Sequence, residues 1–397
     1  MSRLQVSRTV EIPDQLRIGR YRKAPELGPR ILFFSGGTAL NGLSNILKKY
    51  THNSTHLVTP FDSGGSSAEL RNAFNMPSIG DLRSRLIALA DESVLGHPEV
   101  YRLFTYRFPK EKSGKKLHKR LIRMVEGKDE LIVTIPNPMR RLICNHLGYF
   151  LEAMPHSFDL HGASIGNLIL AGGYINNHRH LDPITFLFSK LVNVQGTVRS
   201  VVTDNFHLGA DLADGCRILG QHRLTGKELA PLTSPITQLF LSQRLDRYVP
   251  ASCVLRGKNR KLIETADLIC YPHGSFYSSL LANLIPEGVG QTIASRNCPK
   301  VYIPNQGKDP EQIGMSQELM IKTLLSQLRI DAGEKCATDR LLNFILIDSK
   351  SGHGLSPATI KQVSDLGIQI IDTPLISQPS APYYDDKLLV SVLLSLT

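Results

Sequence analysis

Short runs of apolar and β-branched residues alternate along this chain with longer stretches in which apolar residues recur every three or four positions. A strand covered on both faces needs near-continuous apolar character, and the helix that crosses over it needs one apolar stripe, so the alternation is the sequence form of repeated strand–helix–strand units. It predicts an α/β fold: a Rossmann-like, mainly parallel sheet with helices on both faces. Strands are expected at 30–35, 55–60, 197–203, 266–271, 300–304, 342–348 and 368–372, and helices are clearest at 40–50, 82–91, 166–176 and 184–194. Two segments break the alternation and are read as excursions from the core: 101–141, basic and partly helical, and 204–225, rich in Gly, Asp and His. With no low-complexity linker and no internal repeat, the organisation expected is an N-terminal extension over 1–29 and a single α/β domain over 30–397.

Composition excludes the other broad classes. At 42% hydrophobic and 20% charged residues, the 397-residue chain can bury a core and is neither disordered nor coiled coil. The apolar stretch from Leu388 to Leu396 is broken by Ser391 and Ser395 and is far short of the ~20 residues needed to span a bilayer. The first residues carry arginines but no apolar signal region, so a cytoplasmic protein with no membrane partner is expected. Six scattered cysteines without a C-x-x-C pair read as reduced and mostly buried rather than as a zinc site, and His178 and His180 read as solvated loop histidines. The net charge is +11, and nine Lys or Arg against one Glu between Arg102 and Arg123 account for most of it. That run suits phosphates or a partner surface, but without interleaved aromatics no nucleic-acid partner is expected.

Chemistry concentrates where strands run into helices. Ile31 to Phe34 leads into Ser35-Gly36-Gly37-Thr38, where glycines allow a phosphate close to the backbone and a following helix presents free N–H groups. After the next strand comes Phe61-Asp62-Ser63-Gly64-Gly65-Ser66-Ser67. Asp62 suits a Mg²⁺ ligand or a base, and the glycine amides with Ser66 and Ser67 suit phosphate oxygens. In an open α/β sheet both loops sit at the carboxyl ends of strands and face one crevice. Ile79-Gly80-Asp81-Leu82-Arg83 reads as a helix start with Asp81 as cap or ligand contact, while Gly166-Asn167 opens an apolar helix and Gly274-Ser275 follows a strand. No G-x-G-x-x-G or P-loop pattern supports nicotinamide or P-loop chemistry, and isolated Ser and His residues are too common to argue for a serine hydrolase.

These five segments, in this order, resemble the CofD/YvcK superfamily over roughly 31–314, with details closer to the YvcK-like branch. The resemblance implies a Rossmann-like domain holding a nucleotide diphosphate conjugate of guanosine or UDP-sugar type. CofD enzymes use Mg²⁺ to move a phospholactyl group from a lactyl-diphospho-guanosine donor to a deazaflavin alcohol, releasing GMP, whereas YvcK-like members resemble UDP-sugar-binding factors tied to carbon metabolism and envelope synthesis. Carried over residue by residue, Gly36, Gly37 and Thr38 would hold the diphosphate and Asp62 would be the first of two paired acids, the catalytic and metal-binding group. Gly64, Gly65, Ser66, Ser67, Asp81, Gly166, Asn167, Gly274 and Ser275 would line the pocket. The chain departs from the pattern at Ser63, which stands in place of the second acid, at Ala39 in place of a glycine, at Ala163 in place of a histidine, and at Pro272-His273. The expectation is a transferase of the 2-phospho-L-lactate type with a possible Mg²⁺ cofactor, the alternative a non-catalytic UDP-sugar-binding regulator; a homo-oligomer is compatible with either.

Overall fold

A computed structural model describes residues 9–93, 96–226, 229–352 and 354–397. Seven parallel strands form the main sheet: β1 (Ile31–Ser35), β2 (Thr55–Val58), β3 (Thr197–Ser200), β8 (Leu268–Tyr271), β9 (Lys300–Tyr302), β10 (Phe344–Ile347) and β11 (Gln369–Asp372), in the order β11-β10-β9-β8-β1-β2-β3. Chain order runs one way from β1 to β3 and the other way from β8 to β11. The reversal therefore falls between β1 and β8, and a crevice opens at the carboxyl ends of those two strands.

Both faces of the sheet are covered, which is why β1 is apolar at every position but its last. Ile31 and Phe33 pack on one side with the helices Asn41–Leu47 and Asp386–Ser395. Leu32 and Phe34 pack on the other with the helices Val289–Ser295 and Gln317–Ala332. The strand's alternate residues supply opposite cores. The Asp386–Ser395 helix holds the apolar stretch at the C-terminus and buries Leu389, Val390, Val392, Leu393 and Leu394 in one of them. The helix Gln15–Lys23 docks on its end, where Arg17 Nη1 donates to the carbonyl of Ser395 at 2.9 Å. Among the described residues no helix is long and apolar enough to cross a membrane.

Each excursion builds a body of structure. Segment 98–153 folds into helices that join the Ile165–Asn176 and Leu181–Leu191 helices around a core containing Phe104, Phe150 and Phe188. Segment 207–251 forms a second, antiparallel sheet: β4 (His207–Leu212), β5 (Arg217–Leu219), β6 (Ile236–Ser242) and β7 (Pro250–Ala251), ordered β5-β4-β6-β7. Its residues Leu208, Ala210 and Leu241 pack into the same core as Leu32 and Phe34. The cysteines are all free, but they are less buried than composition suggests. Cys253 and Cys270 are buried, Cys216 is exposed, and the rest are intermediate. His178 and His180 lie exposed beyond the Ile165–Asn176 helix.

Candidate functional site

A cleft of about 770 Å³ lies at the β1/β8 reversal. It is lined by Gly36, Gly37, Thr38, Asp62, Gly64, Gly65, Ser66, Ser67, Asp81, Asn167, Gly274 and Ser275, so the turns after β1, β2 and β8 and two helix starts meet in one place. Gly166 does not line it. A Cβ there would lie 2.6 Å from the Phe104 carbonyl oxygen and 2.9 Å from Arg83 Cδ, so this glycine serves close helix packing.

The Gly36-Gly37 turn is held from behind by a fully buried arginine. Arg85 donates to the carbonyls of Gly36 at 3.3 Å and Gly37 at 3.1 Å and to Ser44 Oγ at 2.7 Å. Burial pulls its guanidinium down to about 10, with Asp81 opposing, and it remains charged at neutral pH. Gly36 itself is obligatory, because a Cβ would lie 2.3 Å from Ser279 Oγ. On the β8 side, Gly274 adopts φ +130° and its missing Cβ would lie 3.3 Å from Ala39 Cβ. The turn thus accommodates the alanine that stands in place of a family glycine. Burial, followed by the charge of Arg85, pushes the His273 imidazole down to about 4, which leaves it neutral.

The acidic loop is fixed by local geometry. Asp62 Oδ1 accepts from the Gly64 amide at 3.1 Å, while Oδ2 faces Gly80, whose missing Cβ would lie 3.5 Å from it and 2.5 Å from Ser67 Oγ. Arg71 pins the loop from inside, donating to the carbonyls of Phe61 at 3.2 Å and Asp62 at 3.1 Å and to Asn205 and Phe206 of the second excursion. Ser63 does not line the cleft; it is buried and its Oγ lies 2.8 Å from His222 Nδ1. Asp81 sits in the first turn of the Gly80–Ala88 helix rather than at its cap, which is Ile79.

The cationic wall was foreseen only in part: the basic run suits phosphates, but its place in this cleft was not expected from the sequence. Arg83, Arg107 and Lys110 line the cleft with His161 and His222. Arg83 is pulled down to about 10 by burial and then by the neighbouring charge of Arg107. Such cations are held together at a cost that an anion would relieve. In three residues of this wall a polar atom, Arg83 Nε, Ser164 Oγ and Asn167 Oδ1, is buried without a protein hydrogen-bond partner. Arg83 stood in the Gly-Asp-x-Arg motif and was legible there. Arg107 and Lys110 lie on the basic segment, whose return to the cleft depends on tertiary packing. His222 has no local signal at all.

The family model of the 2-phospho-L-lactate transferase CofD matches residues 31–376. The chain belongs to the CofD family. It is 29% identical to the gluconeogenesis factor of Bacillus subtilis over 71% of this chain and 69% of that protein, and 27% identical to that of Listeria monocytogenes over 70% and 67%. A Nostoc sp. relative that carries the same name provisionally is 29% identical over 82% of this chain, which spans only 56% of that relative. A crystal structure of a UPF0052-family protein from Bacillus halodurans superposes with a TM-score of 0.65 at 22% identity, covering 92% of this chain and 99% of that one, and so shares the fold.

Proposed function

We propose that this CofD-family protein binds a nucleoside diphosphate conjugate, a nucleotide sugar by class, as a regulatory factor rather than as a metal-dependent transferase. The observation that carries this reading is the loop after β2. Where the resemblance implies two acids, this loop has Asp62 alone: Ser63 stands at the second position and is turned inward onto His222. Mg²⁺ prefers one or two carboxylates completed by water and phosphate oxygens. Here one oxygen of Asp62 is already held by the Gly64 amide, and no group of three or more His, Cys, Asp or Glu side chains that could hold a metal is gathered among the described residues. The loop thus offers Mg²⁺ one carboxylate oxygen in place of the paired acids that the resemblance implies. The anion-receptive groups are instead the backbone turns at Gly36–Thr38 and Gly64–Ser67 and the Arg83, Arg107 and Lys110 wall, which bind phosphate without a metal. The gluconeogenesis-factor name of the relatives supports a regulatory role.

Calorimetric titration with UDP, UDP-N-acetylglucosamine, UDP-glucose and GDP, each in EDTA and in Mg²⁺, tests this directly. Saturable binding of at least one ligand in EDTA is expected, and binding that requires Mg²⁺ would contradict it. The transferase reading retains one specific support, the family model's own name together with Asp62 at the first acid position. Phosphorus NMR with a diphosphate donor and an alcohol acceptor separates the two. Release of a nucleoside monophosphate, lost in Asp62→Ala while binding persists, would establish the transferase.

A further inference from the structure

The Gly/Asp/His-rich excursion brings Gln221, His222 and Thr225 to the cleft, and His222 lands on the residue where the chain departs from its family. His222 lines the cleft beside Asp62 and Gly64. Its Nδ1 lies 2.8 Å from Ser63 Oγ, and its backbone N–H donates to the same oxygen at 3.2 Å. The placement is built rather than incidental. Gly220 holds φ +99°, and a Cβ there would lie 2.7 Å from His222 Cε1 and 2.9 Å from Nδ1, so only glycine lets the ring fold back onto Ser63. Among the described residues the ring's other nitrogen, Nε2, has no hydrogen-bond partner.

One tautomer uses every group of this contact. In it Ser63 Oγ accepts the His222 amide and donates its own proton to Nδ1 at 2.8 Å. A neutral imidazole that accepts at Nδ1 carries its proton on Nε2. In that tautomer Nε2 is a donor, the polarity that a phosphate oxygen needs. An aspartate at position 63 would accept from Nδ1–H and leave Nε2 an acceptor, which repels phosphate.

We propose that His222 is a ligand-binding residue of this cleft that donates from Nε2 to the diphosphate, and that Ser63 is the residue that positions it. A direct hydrogen bond then takes the place that a second carboxylate and its metal fill in the paired-acid pattern. The inference rests on the nucleoside diphosphate reading and deepens it.

Calorimetry in EDTA with inorganic pyrophosphate, UDP and GDP tests the proposal, with melting temperatures as the check on folding. His222→Ala should weaken binding of whichever diphosphate the wild type takes by about tenfold or more, the value of one hydrogen bond to a charged acceptor. His222→Gln, whose amide nitrogen falls near Nε2, should keep most of the affinity. Ser63→Ala should weaken it less, and adding Ser63→Ala to His222→Ala should cost nothing further. Ser63→Asp should weaken metal-free binding and make it Mg²⁺-dependent. In the free protein, ¹⁵N-histidine NMR should show His222 protonated on Nε2, and that signal should move on pyrophosphate addition. Wild-type binding with His222→Ala unchanged within twofold, or a ring protonated on Nδ1, would overturn this proposal alone. A wild type that takes none of the three diphosphates would overturn it together with the nucleotide reading.

Discussion

Arg85 shows how a single side chain can set the shape of a binding turn. It sits fully buried on the Gly80–Ala88 helix and supplies donors to two consecutive glycine carbonyls, which fixes from behind a turn that lines the cleft. Arg85→Met would keep the aliphatic bulk and strand two buried acceptors and one half-buried one. It should lower stability by about 2–4 kcal/mol in urea denaturation, at an unchanged denaturant slope; a loss below about 1 kcal/mol would mean that water replaces the guanidinium. Gly274 makes the complementary case. At φ +130° a side chain is strained whatever the space, so Gly274→Ala should cost about 1–3 kcal/mol, and pairing it with Ala39→Gly should recover only part, because the second change relieves the 3.3 Å contact but not the backbone. Full recovery would place the cost in the contact. At this scale the sequence was informative where a residue acts through its own backbone, as Gly36, Gly37 and Gly274 do. It was silent where the role comes from a distant partner, as with Ser63 and His222, which are 159 positions apart.

The turn that follows β8 is an element whose termini are already supplied with charge. Phe276 N–H donates to Asp309 Oδ2 at 2.9 Å, and Tyr277 and Ser278 N–H donate to the buried Glu311 Oε2 at 2.9 and 2.8 Å, with the Ser278 hydroxyl on the other oxygen. The start of the π-helical turn Phe276–Leu280 is thus occupied by carboxylates, and the β8 side of the cleft offers the ligand Gly274 and Ser275 rather than a helix end. Burial and then the charge of Asp309 push Glu311 up to about 7 from the ordinary 4.5, so the folded protein holds its proton more tightly than the unfolded chain. The stability this contributes is complete below pH 4.5 and is lost as pH rises through about 7. Urea midpoints measured from pH 4.5 to 8 should fall for the wild type relative to Glu311→Gln, and parallel curves would contradict the assignment. Among the elements, every strand of the parallel sheet was legible, the inner five as short runs buried at nearly every position and the less buried edge strands β3 and β11 by their β-branched residues. The antiparallel sheet was not, because β5 and β7 are three and two residues long, β7 begins with Pro250, and pairing with β4 and β6 rather than periodicity makes them strands.

Over the whole molecule the excess positive charge is not evenly spread. The basic segment leaves the cleft wall at Arg107 and Lys110 and continues into the Gly114–Val125 helix, which buries Leu117, Leu121 and Met124 and exposes Lys115, Lys116 and Lys119. The helix begins at the cleft's rim, with the missing Cβ of Gly114 3.9 Å from His161 Cε1. Such a ramp raises the encounter rate of an anionic ligand and is screened over about 10 Å at 0.1 M salt. Replacing Lys115, Lys116 and Lys119 with Glu should slow association in stopped-flow measurements and flatten its salt dependence while leaving dissociation unchanged. An altered dissociation rate with the same association rate would place these lysines in the bound contact instead. The account as a whole depends on the turns after β1 and β2 sharing one diphosphate at the strand-order reversal. Hydrogen–deuterium exchange with and without UDP-N-acetylglucosamine in EDTA tests that claim most directly. Protection is predicted together in peptides covering 36–40, 62–70 and 220–224; protection confined to the open groove along Leu142–Glu152, or none in the three cleft peptides at saturating ligand, would contradict it.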